Sequence, residues 1–331
     1  MINPLKYFTN RRVGLALGSG GSKGIAHISV IEHLEALNIP IDVIAGTSIG
    51  ALIGALHAAG SLKAFKEDLL KMQWKEMLSL VDPVFPKSGL LEGKRFIDYL
   101  TRYIPKDYEF KDLSIPLYVV ATDLYSGAAY VFNSGNLLEA VRASISIPGV
   151  LIPVKYKDTL LVDGGVANPL PVDVLKKQGC GLTIAVNLHP TVYKNRLKNI
   201  VKKIIKRDNY HDGASGVTII QDEDLPTTSP SGNGSREKWF KSLEAWFAPG
   251  KKKEKETIPN IFAIIAQSID IMEYMNTMLT LKFYSPSVLI QPDLLNIPTL
   301  DFTHSARALM EGHQACLRER MTLKRKIQMW V

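Results

Sequence analysis

Short, almost wholly apolar runs alternate along this chain with longer stretches whose apolar residues recur at helical spacing. The runs at 13–18 (VGLALG), 41–46 (IDVIAG), 115–122 (IPLYVVAT), 158–165 (DTLLVDGG), 181–188 (GLTIAVNL) and 287–292 (SVLIQP) have the length and aliphatic content of buried strands. IAHISVIEHLEALN follows a glycine loop and SIGALIGALHAAG follows a sharp turn, and both read as helices. Strands without polar alternation, separated by helices, predict an α/β fold with a mainly parallel central sheet covered on both faces. The apolar stretch 261–281 (IFAIIAQSIDIMEYMNTMLTL) carries Gln267, Asp270 and Glu273 at its centre, which predicts a buried amphipathic helix rather than a membrane span.

Residues 208–235 break the alternation, being rich in Gly, Ser, Thr, Asp and Pro. They are expected to form a loop within an insertion over 191–257 that interrupts a single domain spanning 1–331. Two stripes stand out there. Leu197, Ile200, Val201, Ile204 and Ile205 share one helical face opposite Lys and Arg, including Lys202, Lys203 and Lys206; Trp239, Phe240, Leu243, Trp246 and Phe247 share another. Faces of this kind suit a helix lying in the headgroups of an anionic bilayer, or packing on the core or on a second subunit.

With 331 residues, 46% of them hydrophobic and 22% charged, the chain can bury a large core, which excludes collagen, intrinsic disorder and small disulfide scaffolds. The net charge of +8 is concentrated in 194–207, 236–256 and 318–326, which together carry +14 and leave a body of −6. A nucleic-acid groove would need its basic residues on the folded body, so no polynucleotide partner is expected. Cys180 and Cys316 are the only cysteines, too few for a disulfide framework or clustered zinc site. The first residues lack the order of a signal peptide, and a cytoplasmic location is expected.

GTSIG at 46–50 fits G-x-S-x-G where a predicted strand meets a predicted helix. A serine on that turn projects its hydroxyl, Gly46 and Gly50 relieve crowding, and the helix start offers backbone N–H groups to an oxyanion. Ser48 is thus a candidate nucleophile; a packed serine N-cap is the plainer alternative. GSGGSKG at 18–24 can turn several N–H groups toward one anion, but it misses the dinucleotide pattern because Lys23 fills the third glycine position, and it misses the P-loop spacing. Asp163, in DGG at a strand end, can serve as a base if it reaches Ser48, or belong to an Asp-Gly turn joining two strands. The late histidines His189, His304 and His313 leave a Ser, acid, His order open, whereas His27, His33 and His57 sit in helical patterns.

Taken in order, G-x-G-G-x-K-G at 18–24, G-x-S-x-G at 46–50, RASISIPG at 142–149 and DGG at 163–165 resemble the bacterial patatin-like phospholipases, most closely the short RssA-like subgroup. AHISVIEHL, NPLP at 168–171 and the C-terminal SVLIQPDLLNIPTLDF add to the likeness. The resemblance implies a three-layer α/β fold and a Ser-Asp dyad, with Ser48 as nucleophile and Asp163 as its base. Gly20, Gly21 and Ser22, together with Ile49, would supply oxyanion N–H groups, supported by Gly18, Lys23, Gly24, Gly46, Gly50, Gly164 and Gly165. Lys23 stands where many members have arginine, which loses the planar fork. The implied activity is hydrolysis of fatty acyl esters of phospholipids, lysophospholipids or related lipids, without cofactor or metal. A lipid transacylase using the same serine and a non-catalytic lipid-binding module are the rivals. An oligomer and peripheral contact with an anionic membrane through 191–257 are compatible with this reading.

Overall fold

The computed structural model describes residues 12–72, 91–189 and 261–330, apart from Asn296 and Leu300, and within 73–90 only Glu76, Ser79, Leu80 and Asp82. The segment 191–257, with Lys202, Lys203, Lys206, Trp239, Phe240, Trp246 and Phe247, lies outside the described residues.

An eight-stranded sheet organises the rest. Its strands are β1 (Val13–Leu17), β2 (Val43–Thr47), β3 (Leu117–Asp123), β4 (Ala129–Phe132), β5 (Val154–Tyr156), β6 (Thr159–Asp163), β7 (Leu182–Val186) and β8 (Val288–Ile290), ordered β5-β6-β3-β2-β1-β7-β8 with β4 also on β3. Every neighbouring pair from β3 to β8 along this order is parallel, while β4, β5 and β6 form an antiparallel flank. The six strands read from sequence are all present. β4 and β5 were not expected: Ala129, Val131 and Lys155 are exposed, so the apolar continuity that marks a central strand is missing.

Period-two alternation explains why the central strands read as continuous apolar runs. Val13, Leu15, Leu17, Ile44, Val119, Ile184 and Val186 enter a large core with α1 (Ala26–Ala36), α2 (Ile49–Ala58) and α8 (Ser305–Gln328). Ala16, Ala45, Val120 and Ala185 enter a smaller core with Val172, Val174 and Leu175 of α6 (Val172–Lys177). Bulky residues on one face and mostly small ones on the other let α6 approach closely, and a Cβ on Gly14 would already touch Cys180 and Leu175 at 3.0 Å. The remaining helices are α3 (Leu62–Lys71), α4 (Lys94–Leu100), α5 (Leu137–Ser144) and α7 (Ile261–Phe283).

Helix α7 departs from its sequence reading. Its buried residues include Glu273, Tyr274 and Thr277, whereas Ile271, Met272, Met275, Met278, Leu279 and Phe283 are exposed. Of the three polar residues at its centre the helix buries Glu273 and half-buries Asp270, while Gln267 is exposed, because Glu273 makes contacts at the site described next. No helix among the described residues is long and apolar enough to cross a membrane.

Candidate active site

The strand register brings Ser48 and Asp163 together. Thr47 ends β2 opposite Val120 of β3, and the next β3 residue, Ala121, lies opposite Asp163 of antiparallel β6. Ser48 therefore leaves β2 on the same rung as Asp163, two strand spacings away, and the side chains close the gap. The Ser48 hydroxyl donates to Asp163 Oδ2 at 2.5 Å, and both residues are buried.

Ser48 occupies the turn into α2 at φ 56° and ψ −121°, a backbone region that residues with a Cβ seldom adopt. Close approach explains the flanking glycine: a Cβ on Gly50 would sit 2.1 Å from the Leu17 carbonyl oxygen, so only glycine lets α2 start directly over β1. The Ser48 N–H donates to Ser144 Oγ at 2.8 Å, and that hydroxyl donates to the Val120 carbonyl at 2.6 Å.

Asp163 is held equally firmly. Its N–H donates to the Ser146 carbonyl at 2.9 Å, its own carbonyl accepts from Thr122 Oγ1 at 2.8 Å, and its Oδ1 accepts from the Gly165 N–H at 2.7 Å. A short 3-10 turn, Gly164–Val166, follows, rather than a hairpin joining two strands. Burial, then the neighbouring Glu273 carboxylate, pushes the Asp163 carboxyl up to about 8, against the pull of its bonds from Ser48 and Gly165. A carboxylate raised in this way is a stronger base than an exposed one and can accept the serine proton.

The glycine loop forms a turn, Gly21–Ile25, entered through Gly20 at φ 149° and Gly21 at φ 58°. A Cβ on Gly24 would lie 2.2 Å from Ile49 Cγ2, so the loop packs on the residue after Ser48. His27, wholly buried, donates from Nε2 to the Gly18 carbonyl at 2.8 Å; burial drives its imidazole down to about 4, so it is neutral at ordinary pH. One expected oxyanion donor requires correction. The Ser22 N–H donates to the Thr299 carbonyl at 2.7 Å and its hydroxyl to the Pro298 carbonyl at 2.7 Å, so both donors of Ser22 are already engaged. Lys23 likewise turns to Thr299, with Nζ 3.3 Å from its hydroxyl.

Among the described residues no histidine hydrogen-bonds to Ser48. His304 pairs with Asp301 at 3.1 Å and His313 stacks edge-on against His33. His189 lies closer to the site: its Nε2 is 3.1 Å from Glu273 Oε2 and 3.2 Å from Ser19 Oγ. Sequence reasoning missed Ser144, Ser146 and Glu273. The first two stand in RASISIPG, which signalled the family without revealing that one serine anchors the N–H of Ser48 and the next accepts from that of Asp163.

Residues 15–176 match the family model described as patatin-like phospholipase. The chain carries a patatin-like phospholipase domain. Over 178 residues it is 42% identical to an uncharacterised NTE family protein of Mycobacterium tuberculosis, covering 54% of this chain and 49% of that one. Human patatin-like phospholipase domain-containing protein 6 is 34% identical over 189 residues, 55% of this chain and 14% of its own length. Lysophospholipase NTE1 of Scheffersomyces stipitis is 34% identical over 194 residues, 55% and 12%. The chain thus spans about half the length of the mycobacterial relative and a small part of the two eukaryotic ones. The crystal structure of VipD from Legionella pneumophila aligns over 92% of this chain and 66% of its own, at 14% identity and a TM-score of 0.45, a likeness too remote to bear on fold or function.

Proposed function

We propose that this protein is a serine acyl hydrolase that cleaves fatty acyl esters of lysophospholipids or phospholipids through a Ser48–Asp163 dyad. The observation that carries the reading is the 2.5 Å bond from the Ser48 hydroxyl to Asp163 Oδ2 on a turn with positive φ. The patatin-like domain and the relative named as a lysophospholipase support a lipid ester as substrate.

In the first step Ser48 Oγ attacks the ester carbonyl while its proton passes to Asp163. The N–H groups of Gly20 and Gly21 and that of Ile49 at the start of α2 hold the oxyanion. Collapse of the tetrahedral species breaks the ester C–O bond, the Asp163 proton goes to the departing alcohol, and an acyl-Ser48 remains. Water then attacks, giving its proton to Asp163, and the second collapse returns that proton to Ser48 Oγ and releases the fatty acid. Gathering substrate from an anionic membrane through the basic and aromatic stripes of 191–257 belongs to the same reading and rests on their sequence pattern.

A fluorophosphonate probe should label Ser48, and wild-type protein should release fatty acid from lysophosphatidylcholine while Ser48→Ala does not. Labelling at another residue, or full activity in Ser48→Ala, overturns the reading. Acyl transfer to an added alcohol at the expense of free acid would identify a transacylase instead.

A further inference from the structure

Glu273 reaches the site from α7, far from the motifs that mark the dyad. A Cβ built on Gly165 would lie 1.9 Å from Glu273 Oε1 and 3.1 Å from Asp163 Oδ1, so the two carboxyl oxygens are no further apart than those distances combined. Glu273 is buried, and so is His189, whose Nε2 faces Glu273 Oε2 at 3.1 Å. A carboxylate only accepts hydrogen bonds, so Nε2 carries the proton in this contact, as a hydrogen bond when the ring is neutral and an ion pair when it is charged. The His189 backbone is fixed in turn, its N–H donating to Asn187 Oδ1 at 2.9 Å. Three residues farther along the same helix, Asn276 donates from Nδ2 to the Val166 carbonyl at 2.8 Å, which docks α7 on the segment that follows Asp163.

A glutamate is an expensive residue to bury, and an apolar side chain would fill this position at less cost. The glycine at 165 is required for Glu273 to come so near, since any Cβ there collides with it. Resting on the dyad reading above, we propose that Glu273, clamped by His189, is a positioning residue whose negative charge keeps Asp163 a strong acceptor for the Ser48 proton. Among the described residues the next charged groups are Asp270 on α7, whose carboxyl is pushed up by burial and further by Glu273, and Lys23 of the glycine loop, which opposes that rise. Both lie on the Thr299 side: Lys23 Nζ is 3.3 Å from the Thr299 hydroxyl, which is 3.4 Å from Asp270.

The test is the pH profile of kcat/KM on a short soluble ester, followed by acid release, for wild type, Glu273→Gln, Glu273→Asp and His189→Gln. Ionised Asp163 is the active form, so activity rises with pH along an acidic limb. Removing the neighbouring negative charge makes Asp163 easier to ionise, so Glu273→Gln should move that limb down by about one pH unit or more and lower the plateau about tenfold. Glu273→Asp keeps the charge but withdraws it by one methylene, so its limb should fall between those of wild type and Gln and its plateau should recover in part. It also serves if the Gln variant does not fold. His189→Gln leaves the carboxylate in place and should slow turnover without moving the limb below that of wild type.

An unmoved limb in a folded Glu273→Gln or Glu273→Asp protein overturns the proposal, as does a limb in His189→Gln lowered as far as in Glu273→Gln, which would reveal packing rather than charge. Fluorophosphonate labelling of Ser48 separates the two levels: without it the dyad reading itself fails, whereas labelling with an unmoved limb defeats only the role of Glu273.

Discussion

The N–H of Ser48 ends on the hydroxyl of Ser144 at 2.8 Å, and that hydroxyl in turn donates a hydrogen bond to the Val120 carbonyl. One serine thus fastens the turn of another to the neighbouring strand. Ser144→Ala should leave a buried N–H and a buried carbonyl without this partner, costing about 1–3 kcal/mol of stability. Because the turn that carries Ser48 loosens at the same time, ester hydrolysis should fall about tenfold or more while the protein remains folded. Urea denaturation and initial rates on the same preparation check both effects. Unchanged rates would remove Ser144 from any role at the site.

His304→Gln and His313→Gln should keep most of the activity. Each has its own partner, Asp301 and His33 respectively, away from Ser48. A loss on the order of 10⁴-fold in a folded variant would instead indicate a histidine base and a triad.

His27 sets a pH dependence of stability. Its folded-state value, about 4, lies below the 6.5 of an unperturbed imidazole, chiefly because of burial. The folded state therefore binds fewer protons than the unfolded chain between these values, and stability is full above the unfolded value and lost as pH falls toward the folded one. Denaturation midpoints measured from pH 7.5 to 5 should decline in wild type and decline less in His27→Gln, even though the variant starts from a lower stability. Parallel curves would assign the acid sensitivity to other groups.

Gly24→Ala tests the contact between the glycine loop and the helix that follows Ser48. The new methyl would meet Ile49 at 2.2 Å, and the loop must shift to admit it. Activity should fall by about 10²-fold, since a displacement of 1 Å at a reacting centre costs that much. Gly24→Ala combined with Ile49→Ala, which removes both γ carbons that the new methyl would meet, should recover part of it.

Much of this arrangement was legible in the sequence because central parallel strands are apolar on both faces and the strand-to-helix turns carry glycine signatures. VGLAL and VIAGT announce themselves, and GTSIG marks the turn between strand and helix on which Ser48 sits. The flank of β4 and β5 was not legible, because strands partly open to solvent alternate too weakly over three or four residues. Glu273 was hidden for a different reason. In a run such as IDIMEYMNT an acidic residue reads as the solvent face of an amphipathic helix, and only the tertiary contact with Gly165 reveals that the charge points inward and the methionines outward. The engagement of Ser22 by Thr299 joins residues nearly the whole chain apart, beyond the reach of any local pattern.

The positive φ of Ser48 implies a conflict between durability and work. Holding a side chain at φ 56° and ψ −121° costs on the order of 1–3 kcal/mol, and glycine would relieve it at the expense of a floppier unfolded chain. Ser48→Gly and Ser48→Ala both lack the hydroxyl, yet only alanine keeps the strained Cβ. The glycine variant should accordingly unfold at a higher urea concentration than the alanine variant. Random mutation screened for heat resistance alone would drift toward glycine here, and the chain would survive longer as an inert protein than as an enzyme.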